Sequence, residues 1–205
     1  MTSTIRPASK DDIPPASRKV LQRIERRLGN GRNFSLTAAH SPSALATLDG
    51  LTLAATRTAL PGRLRDAIAM RAAQLNGCEY CVAMHTESAR GAGLDDGSVL
   101  NFRRGISDDP KEQALLSLTT KIVEDRGHHA GFAVQIARRA GASDAEIIEV
   151  IQLVTFSTFS NYLNNLARTE LDFPVVDLAL PGVRTFHNEA RDDAQSREQV
   201  GWPFV

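Results

Sequence analysis

Apolar residues recur along most of the chain at the three- and four-residue spacing of amphipathic helices. After the Pro14-Pro15 pair, for example, Leu21 and Ile24 fall on one helical face. Residues 14–170 show no good period-two alternation of the kind expected for half-buried strands. The pattern therefore predicts an all-α domain.

Capping signals divide this pattern into successive helices. Ser41-Pro42 and Asp109-Pro110 each offer a capping side chain followed by a proline that fits the first helical position. A capping-box pattern at Ser143-Asp144-Ala145-Glu146 opens the longest helix, which is predicted to run to about Ala167. The core positions predicted for this helix are Ile147, Val150, Ile151, Val154 and Leu166.

Composition and charge narrow the classes of function. The 205 residues are 42% hydrophobic and 23% charged, which is typical of a globular protein. The formal net charge of zero gives no electrostatic reason to expect nucleic acid or an anionic membrane as a partner. The chain start lacks the apolar core of a signal peptide, and its most apolar stretch, residues 150–166, is too polar to span a bilayer. We therefore expect a cytoplasmic protein.

The character of the chain changes after Pro174. Residues 1–173 are expected to form a single helical domain. Residues 174–205 mix prolines with a charged run and end in Gly-Trp-Pro-Phe-Val. We predict that this C-terminal extension packs on the domain or on a neighbouring subunit.

The reactive side chains concentrate in residues 76–85, which hold both cysteines and one of the five histidines. Cys78 is predicted to lie in the first turn of the helix that begins there. At about 100° per residue, Cys78, Cys81 and His85 share one narrow face. The amide groups of a helix N-terminus stabilise a thiolate, and a neighbouring imidazole can take the thiol proton. This spacing predicts a dithiol oxidoreductase or peroxidase.

Other interpretations start from the same two cysteines. They could be small core residues, or they could bind zinc with His85 as a third ligand and His128 or His129 brought in by folding. Haem attachment requires a histidine directly after the second cysteine, where Val82 stands, and a thioredoxin motif requires a preceding strand. We expect no bound metal and no cofactor.

The surrounding motifs match a known pattern. They are Leu60-Pro61, Arg65-Asp66, Asn76-Gly77-Cys78-Glu79-Tyr80-Cys81, His85-Thr86 and Ala92-Gly93. Through them the segment from Leu60 to Gly93 resembles the carboxymuconolactone decarboxylase-like superfamily, specifically its alkylhydroperoxidase D branch. That branch is marked by a Cys-x-x-Cys pair, an acidic residue twelve positions before its first cysteine, and a histidine four residues after its second. A weaker resemblance covers residues 14–173.

The resemblance implies an all-α helical bundle that forms homo-oligomers, as trimers, dimers or hexamers. It implies a peroxidase that reduces alkyl hydroperoxides with electrons from an unidentified thiol or dithiol protein. By position, Cys81 would attack the peroxide, Cys78 would resolve the product as a disulfide, and His85 would help to deprotonate Cys81. The acidic position of the proton relay falls on Asp66.

Two positions depart from the family pattern. The family usually has glutamate where this chain has Asp66, so the carboxylate reach is shorter by one methylene, a gap that a water molecule can bridge. The alternative is that Asp66 only forms ion pairs beside Arg63 and Arg65. Tyr80 stands where the best-known peroxidase pattern carries a histidine, and we assign Tyr80 and Asn161 to the substrate pocket.

Asn161, Asn164 and Asn165 place amides within the longest helix, where they line a pocket or satisfy a subunit contact. Two further functions remain open. One is a lactone decarboxylase of the carboxymuconolactone decarboxylase type, whose chemistry needs no thiol pair. The other is a non-catalytic redox-sensing or zinc-binding module.

Overall fold

A computed structural model describes residues 3–9, 11–28 and 32–180, and these residues fold into helices with no strand among them. The helices are α1 (Pro15–Leu28), α2 (Asn33–Ala38), α3 (Pro42–Ala55), α4 (Gly62–Leu75), α5 (Glu79–Gly91), α6 (Asp96–Arg104), α7 (Pro110–Asp125), α8 (Gly131–Arg139) and α9 (Asp144–Ala167). The all-α prediction is confirmed.

The predicted caps lie where the sequence signals place them. The Ser41 side chain accepts from the Ala44 N–H, and the Asp109 side chain accepts from two backbone N–H groups. Ser143 and Glu146 form the reciprocal hydrogen bonds of a capping box. These local bonds satisfy backbone donors that a helix start otherwise leaves unpaired, which is why the boundaries were predictable.

Helix α4 lies at the centre of the fold, where it packs against α5, α6, α7 and α9. On one side, a core cluster joins α4 to α6, α7, α8 and α9. On the other, a second cluster brings residues of α1, α2 and α3 around the start of α5. The second cluster includes Cys78, Tyr80, Cys81 and Val82, so the candidate chemistry lies inside a packed core.

The predicted core of α9 is correct for Ile147, Val150 and Val154 but wrong for Ile151 and Leu166. These two side chains are 48% and 67% exposed. The buried stripe of α9 continues instead through Ser157, Asn161 and Asn164. An apolar pattern misidentifies this face because the buried positions become polar where the helix meets the candidate site.

Helix α2 was not predicted, and it has a weak start. It spans six residues, and Arg32 before it makes no side-chain capping bond. Its stability rests on burial of Phe34 and Ala38 in the second cluster. The predicted end of the first helix at residues 29–31 lies outside the described residues.

Residues 174–180 lie against the helices. The Gln74 side chain donates to the Leu178 carbonyl at 2.8 Å, and Arg103 donates to the Asp177 carbonyl at 2.5 Å. Leu178 and Leu180 are buried. The rest of the predicted extension, residues 181–205, lies outside the described part of the chain. Among the described helices, none is both long and apolar enough to cross a membrane.

Candidate active site

The site begins at the tight connection between α4 and α5. Gly77 has a φ of 61°, which favours glycine, and the Cys78 N–H donates to the Ala73 carbonyl at 3.0 Å. Cys78 is the N-cap of α5, and its Sγ accepts the Cys81 N–H at 3.2 Å. The prediction that Cys78 lies in the first turn is therefore off by one position.

Cys78 and Cys81 are joined by a disulfide, with their Cα atoms 5.3 Å apart. Both residues are buried, but their surroundings differ. Cys81 lines a cavity of about 470 Å³, whereas Cys78 is not part of its lining. Of the two cysteines, Cys81 is the one that a small molecule in the cavity can reach.

The cavity collects most of the side chains that the sequence singled out. Its lining includes Asp66 from α4, Tyr80, Cys81 and His85 from α5, and Asn161 from α9. Apolar side chains make up much of the remaining wall, namely Phe34, Ala69, Met84, Phe156 and Phe173. Arg27, Arg32 and Glu87 also contribute. The cavity is suited to a small molecule with an apolar body.

His85 and Asp66 are titratable groups in this lining whose pKa values are shifted by burial. Burial lowers the pKa of His85 to about 4, so the partly exposed imidazole is neutral near pH 7. Burial also raises the pKa of Asp66, although the nearby Arg65 guanidinium opposes that shift. Titratable groups that are shifted by burial and face a cavity are typical of catalytic sites.

The ion pairs considered for Asp66 do not form among the described residues. Arg63 instead pairs with Glu112 at 2.8 Å, and Arg65 donates to the Leu60 carbonyl at 2.9 Å. The Asp66 carboxyl is left facing the cavity from α4.

Tyr80 anchors one wall of the cavity. Its hydroxyl donates to Asp172 at 2.5 Å, and its ring contacts Phe34 and Phe173 at centroid distances of 6.1 and 5.7 Å. Burial, together with the Asp172 carboxylate, raises the pKa of Tyr80. Asp172 also accepts from the Asn33 N–H, so it ties α2 and α5 to the segment after α9.

The three asparagines of α9 all face the start of α5. Asn161 accepts from the Asn76 side chain and Asn165 donates to the Asn76 carbonyl, both at 2.9 Å. Asn164 donates to the Cys81 Sγ at 3.4 Å. Each of these amides has a partner within the chain, and Asn161 and Asn164 line the cavity whereas Asn165 does not.

The sequence did not indicate that Asn164 contacts Cys81 or that Asp172 contacts Tyr80. These partners are 83 and 92 positions apart in the chain. His128 and His129 are exposed in the loop before α8 and are not part of the cavity lining. Within the described residues, no cluster of three or more His, Cys, Asp or Glu side chains is arranged to hold a metal ion.

The described helices adopt an AhpD-like helical fold. Residues 40–106 match the sequence model of the Carboxymuconolactone decarboxylase family. This match covers about a third of the chain, and together with the shared helical fold it supports a relationship to the carboxymuconolactone decarboxylase/AhpD-like superfamily. A comparison with curated proteins gave no significant match.

Several solved structures share the fold. The debrominase Bmp8, in a cysteine-to-alanine variant bound to 2,3,4-tribromopyrrole, is 22% identical with a TM-score of 0.70, over 84% of this chain and 93% of that one. An uncharacterized peroxidase-related protein from Silicibacter sp. TM1040 is 17% identical with a TM-score of 0.70, over 83% and 94%. A protein of unknown function from Agrobacterium tumefaciens, described as a candidate AhpD antioxidant defence protein, is 25% identical with a TM-score of 0.60, over 68% and 96%.

Proposed function

We propose that this protein is a thiol-dependent peroxidase that reduces organic hydroperoxides through a cycle between the Cys78/Cys81 dithiol and its disulfide. The observation that carries the proposal is the asymmetry of the pair. Cys81 faces the cavity beside His85 and Asp66, whereas Cys78 lies behind it, close enough to form the disulfide. This is the arrangement that an attacking thiol and a resolving thiol require.

In the first step, the Cys81 thiolate attacks the terminal oxygen of the hydroperoxide. An S–O bond forms and the O–O bond breaks, so sulfur is oxidised to a sulfenic acid and the alkoxide leaves. His85 takes the thiol proton before the attack and returns it to the alkoxide, which departs as an alcohol. Asp66, on the facing helix, connects His85 to solvent protons.

In the second step, the Cys78 sulfur attacks the Cys81 Sγ. The S–S bond forms, the S–O bond breaks, and hydroxide leaves with the Cys78 proton as water. The Cys81 N–H that donates to the Cys78 Sγ favours the thiolate form of Cys78 for this attack. A dithiol donor of the cytoplasm then reduces the disulfide, and that reducing compartment is the location we propose for the protein.

The test is consumption of cumene hydroperoxide with dithiothreitol as donor, corrected for the direct reaction of the two reagents. We expect turnover by the wild type and none by Cys81→Ser. In Cys78→Ser, a single equivalent of peroxide should react and leave a Cys81 sulfenic acid that dimedone traps, as mass spectrometry can show. Wild-type turnover by Cys81→Ser would refute the proposal.

A second candidate function is reductive debromination of an aromatic compound. It is favoured by the fold shared with the debrominase Bmp8 and by the aromatic walls of the cavity. Replacing bromine by hydrogen consumes two electrons, which the dithiol supplies as it becomes a disulfide, and it releases bromide and a proton. Bromide release from 2,3,4-tribromopyrrole that depends on Cys81, without peroxide turnover, would replace the peroxidase proposal.

The other functions considered from the sequence have their own signatures. Lactone decarboxylation should survive the double replacement Cys78→Ser/Cys81→Ser, because it does not use the thiols. A redox-sensing module should form and lose its disulfide reversibly without catalysing peroxide consumption.

A further inference from the structure

Asn164 stands out among the cavity side chains because half of its hydrogen-bonding capacity is unused. The side chain is 4% exposed and lies in the cavity lining. Its Nδ2 donates to the Cys81 Sγ at 3.4 Å and to the Ser160 carbonyl at 3.0 Å. Its Oδ1 is buried and finds no partner among the described residues.

The orientation of this amide is determined by its neighbours. Nδ2 carries two hydrogens, and the sulfur and the Ser160 carbonyl use both. The opposite orientation would place an amide oxygen 3.0 Å from a carbonyl oxygen, which is repulsive. The free atom is therefore an acceptor beside the reactive sulfur, and a buried acceptor without a donor is unfavourable unless a ligand satisfies it.

We propose that Asn164 is a catalytic residue whose Nδ2 stabilises the Cys81 thiolate and whose Oδ1 accepts the O–H group of the bound hydroperoxide. This inference rests on the proposed peroxidase function. It assigns a role to a residue that contacts the reacting sulfur atom directly.

The two contacts act on the two reactants of one step. An N–H donor stabilises an anionic sulfur far more than a disulfide or a thiol, since hydrogen bonds to charged groups are the stronger ones. A hydroperoxide carries one hydrogen, on its terminal oxygen, and that oxygen is the atom that sulfur attacks. If Oδ1 accepts this hydrogen, the terminal oxygen is held next to the nucleophile while the O–O bond breaks.

The experiment compares two reactions of Cys81 in reduced protein. Iodoacetamide alkylation needs only the thiolate, whereas reaction with cumene hydroperoxide also uses the acceptor. In Asn164→Leu, which is close in size but has no polar atoms, alkylation should slow by about tenfold, as expected for one lost bond to a charged sulfur. The peroxide rate constant should fall by about a hundredfold, because both contacts are lost.

Asn165→Ala is the matched control. Asn165 is the next residue of α9, is exposed, and donates to the Asn76 carbonyl instead of to the sulfur. Both of its rate constants should stay within about twofold of the wild type. Should Asn164→Leu fail to fold, as judged by circular dichroism, Asn164→Ser provides a smaller replacement that also withdraws the amide from the sulfur.

The possible results distinguish failure of this inference from failure of the proposed peroxidase function. If wild-type protein is alkylated at Cys81 but does not react with hydroperoxide, the proposed function and this inference both fail. If the wild type reacts and the Asn164 variants keep the wild-type ratio of peroxide rate to alkylation rate, the inference alone is overturned. A selective loss of the peroxide reaction supports it, because a general packing defect would slow both reactions alike.

Discussion

Replacing His85 by glutamine provides a direct test of the electrostatics at the site. Burial lowers the pKa of His85 from 6.5 to about 4, so the folded protein keeps the imidazole neutral at pH values where an unfolded chain protonates it. Between these two pH values the unfolded state binds more protons than the folded state. The free energy of unfolding must therefore fall as the pH decreases from about 6.5 to about 4.

The size of this effect follows from the shift. Each pKa unit corresponds to about 1.4 kcal/mol, so the full shift would lower the free energy of unfolding by about 3.4 kcal/mol well below pH 4 and by about 3 kcal/mol at pH 4. His85 is partly exposed to the cavity, where water reduces the desolvation, so we expect about 1–3 kcal/mol. The other charged groups in the lining, Asp66, Glu87, Arg27 and Arg32, are present in both proteins and largely cancel in the comparison.

Urea denaturation of the wild type and His85→Gln between pH 7.5 and 4.5 measures this contribution. Glutamine does not titrate, so the variant should gain stability relative to the wild type as the pH falls. His128→Gln, in the exposed loop before α8, is the control for losing a surface imidazole. A difference between the wild type and His85→Gln that stays constant over this pH range would refute the reasoning.

Proton NMR adds a reading of the same group in both redox states. In the disulfide form, the imidazole signal that is missing from His85→Gln should titrate near pH 4. After reduction, a Cys81 thiolate one helical turn away favours the imidazolium, so the midpoint should rise. An unchanged midpoint in reduced protein whose Cys81 is shown by ultraviolet absorbance to be a thiolate at that pH would mean that His85 and the thiolate do not interact, and it would remove His85 from the proposed proton transfer.

Two further predictions concern the surroundings of the site. Tyr80→Phe removes the hydrogen bond to the exposed Asp172 carboxylate but keeps the ring contacts, so urea denaturation should show a free energy of unfolding lower by about 1–2 kcal/mol. The control Tyr162→Phe, at an exposed tyrosine, should lose almost none. Equal losses in the two variants would contradict a stabilising role of the Tyr80–Asp172 hydrogen bond. Reduction of the Cys78–Cys81 disulfide should lower the free energy of unfolding by at most about 2 kcal/mol, because a four-residue loop constrains the unfolded chain little. A global loss of helix by circular dichroism on reduction would be inconsistent with that estimate.

The sequence predicted the structural features that depend on residues close together in the chain. Caps such as Ser143 with Glu146 depend on residues three positions apart, and the shared face of Cys81 and His85 follows from helix geometry. The parts that it missed depend on folding. Helix α2 is stabilised by burial of Phe34 and not by a cap, which no short window reveals.

The same distinction explains the errors in burial and the incomplete site. Leu166 is apolar but faces outward, because the face of α9 that meets the site is polar there and carries Asn161 and Asn164. The partners of Cys81 and Tyr80 come from distant positions in the chain, so their roles could only be assigned after the helices were packed together. Spacing identified the cysteines and His85, and the tertiary structure supplied the side chains that contact Cys81 and Tyr80.

Cys78 supplies both a thiol and the N-cap of α5. Alanine at this position would remove the acceptor of the Cys81 N–H and cost about 1 kcal/mol of helix stability in addition to the chemistry. Serine would lose the redox function and keep the cap, because its hydroxyl is among the preferred capping groups. A change of one sulfur to oxygen therefore separates the two roles of this residue, because it removes the thiol and leaves the start of α5 in place.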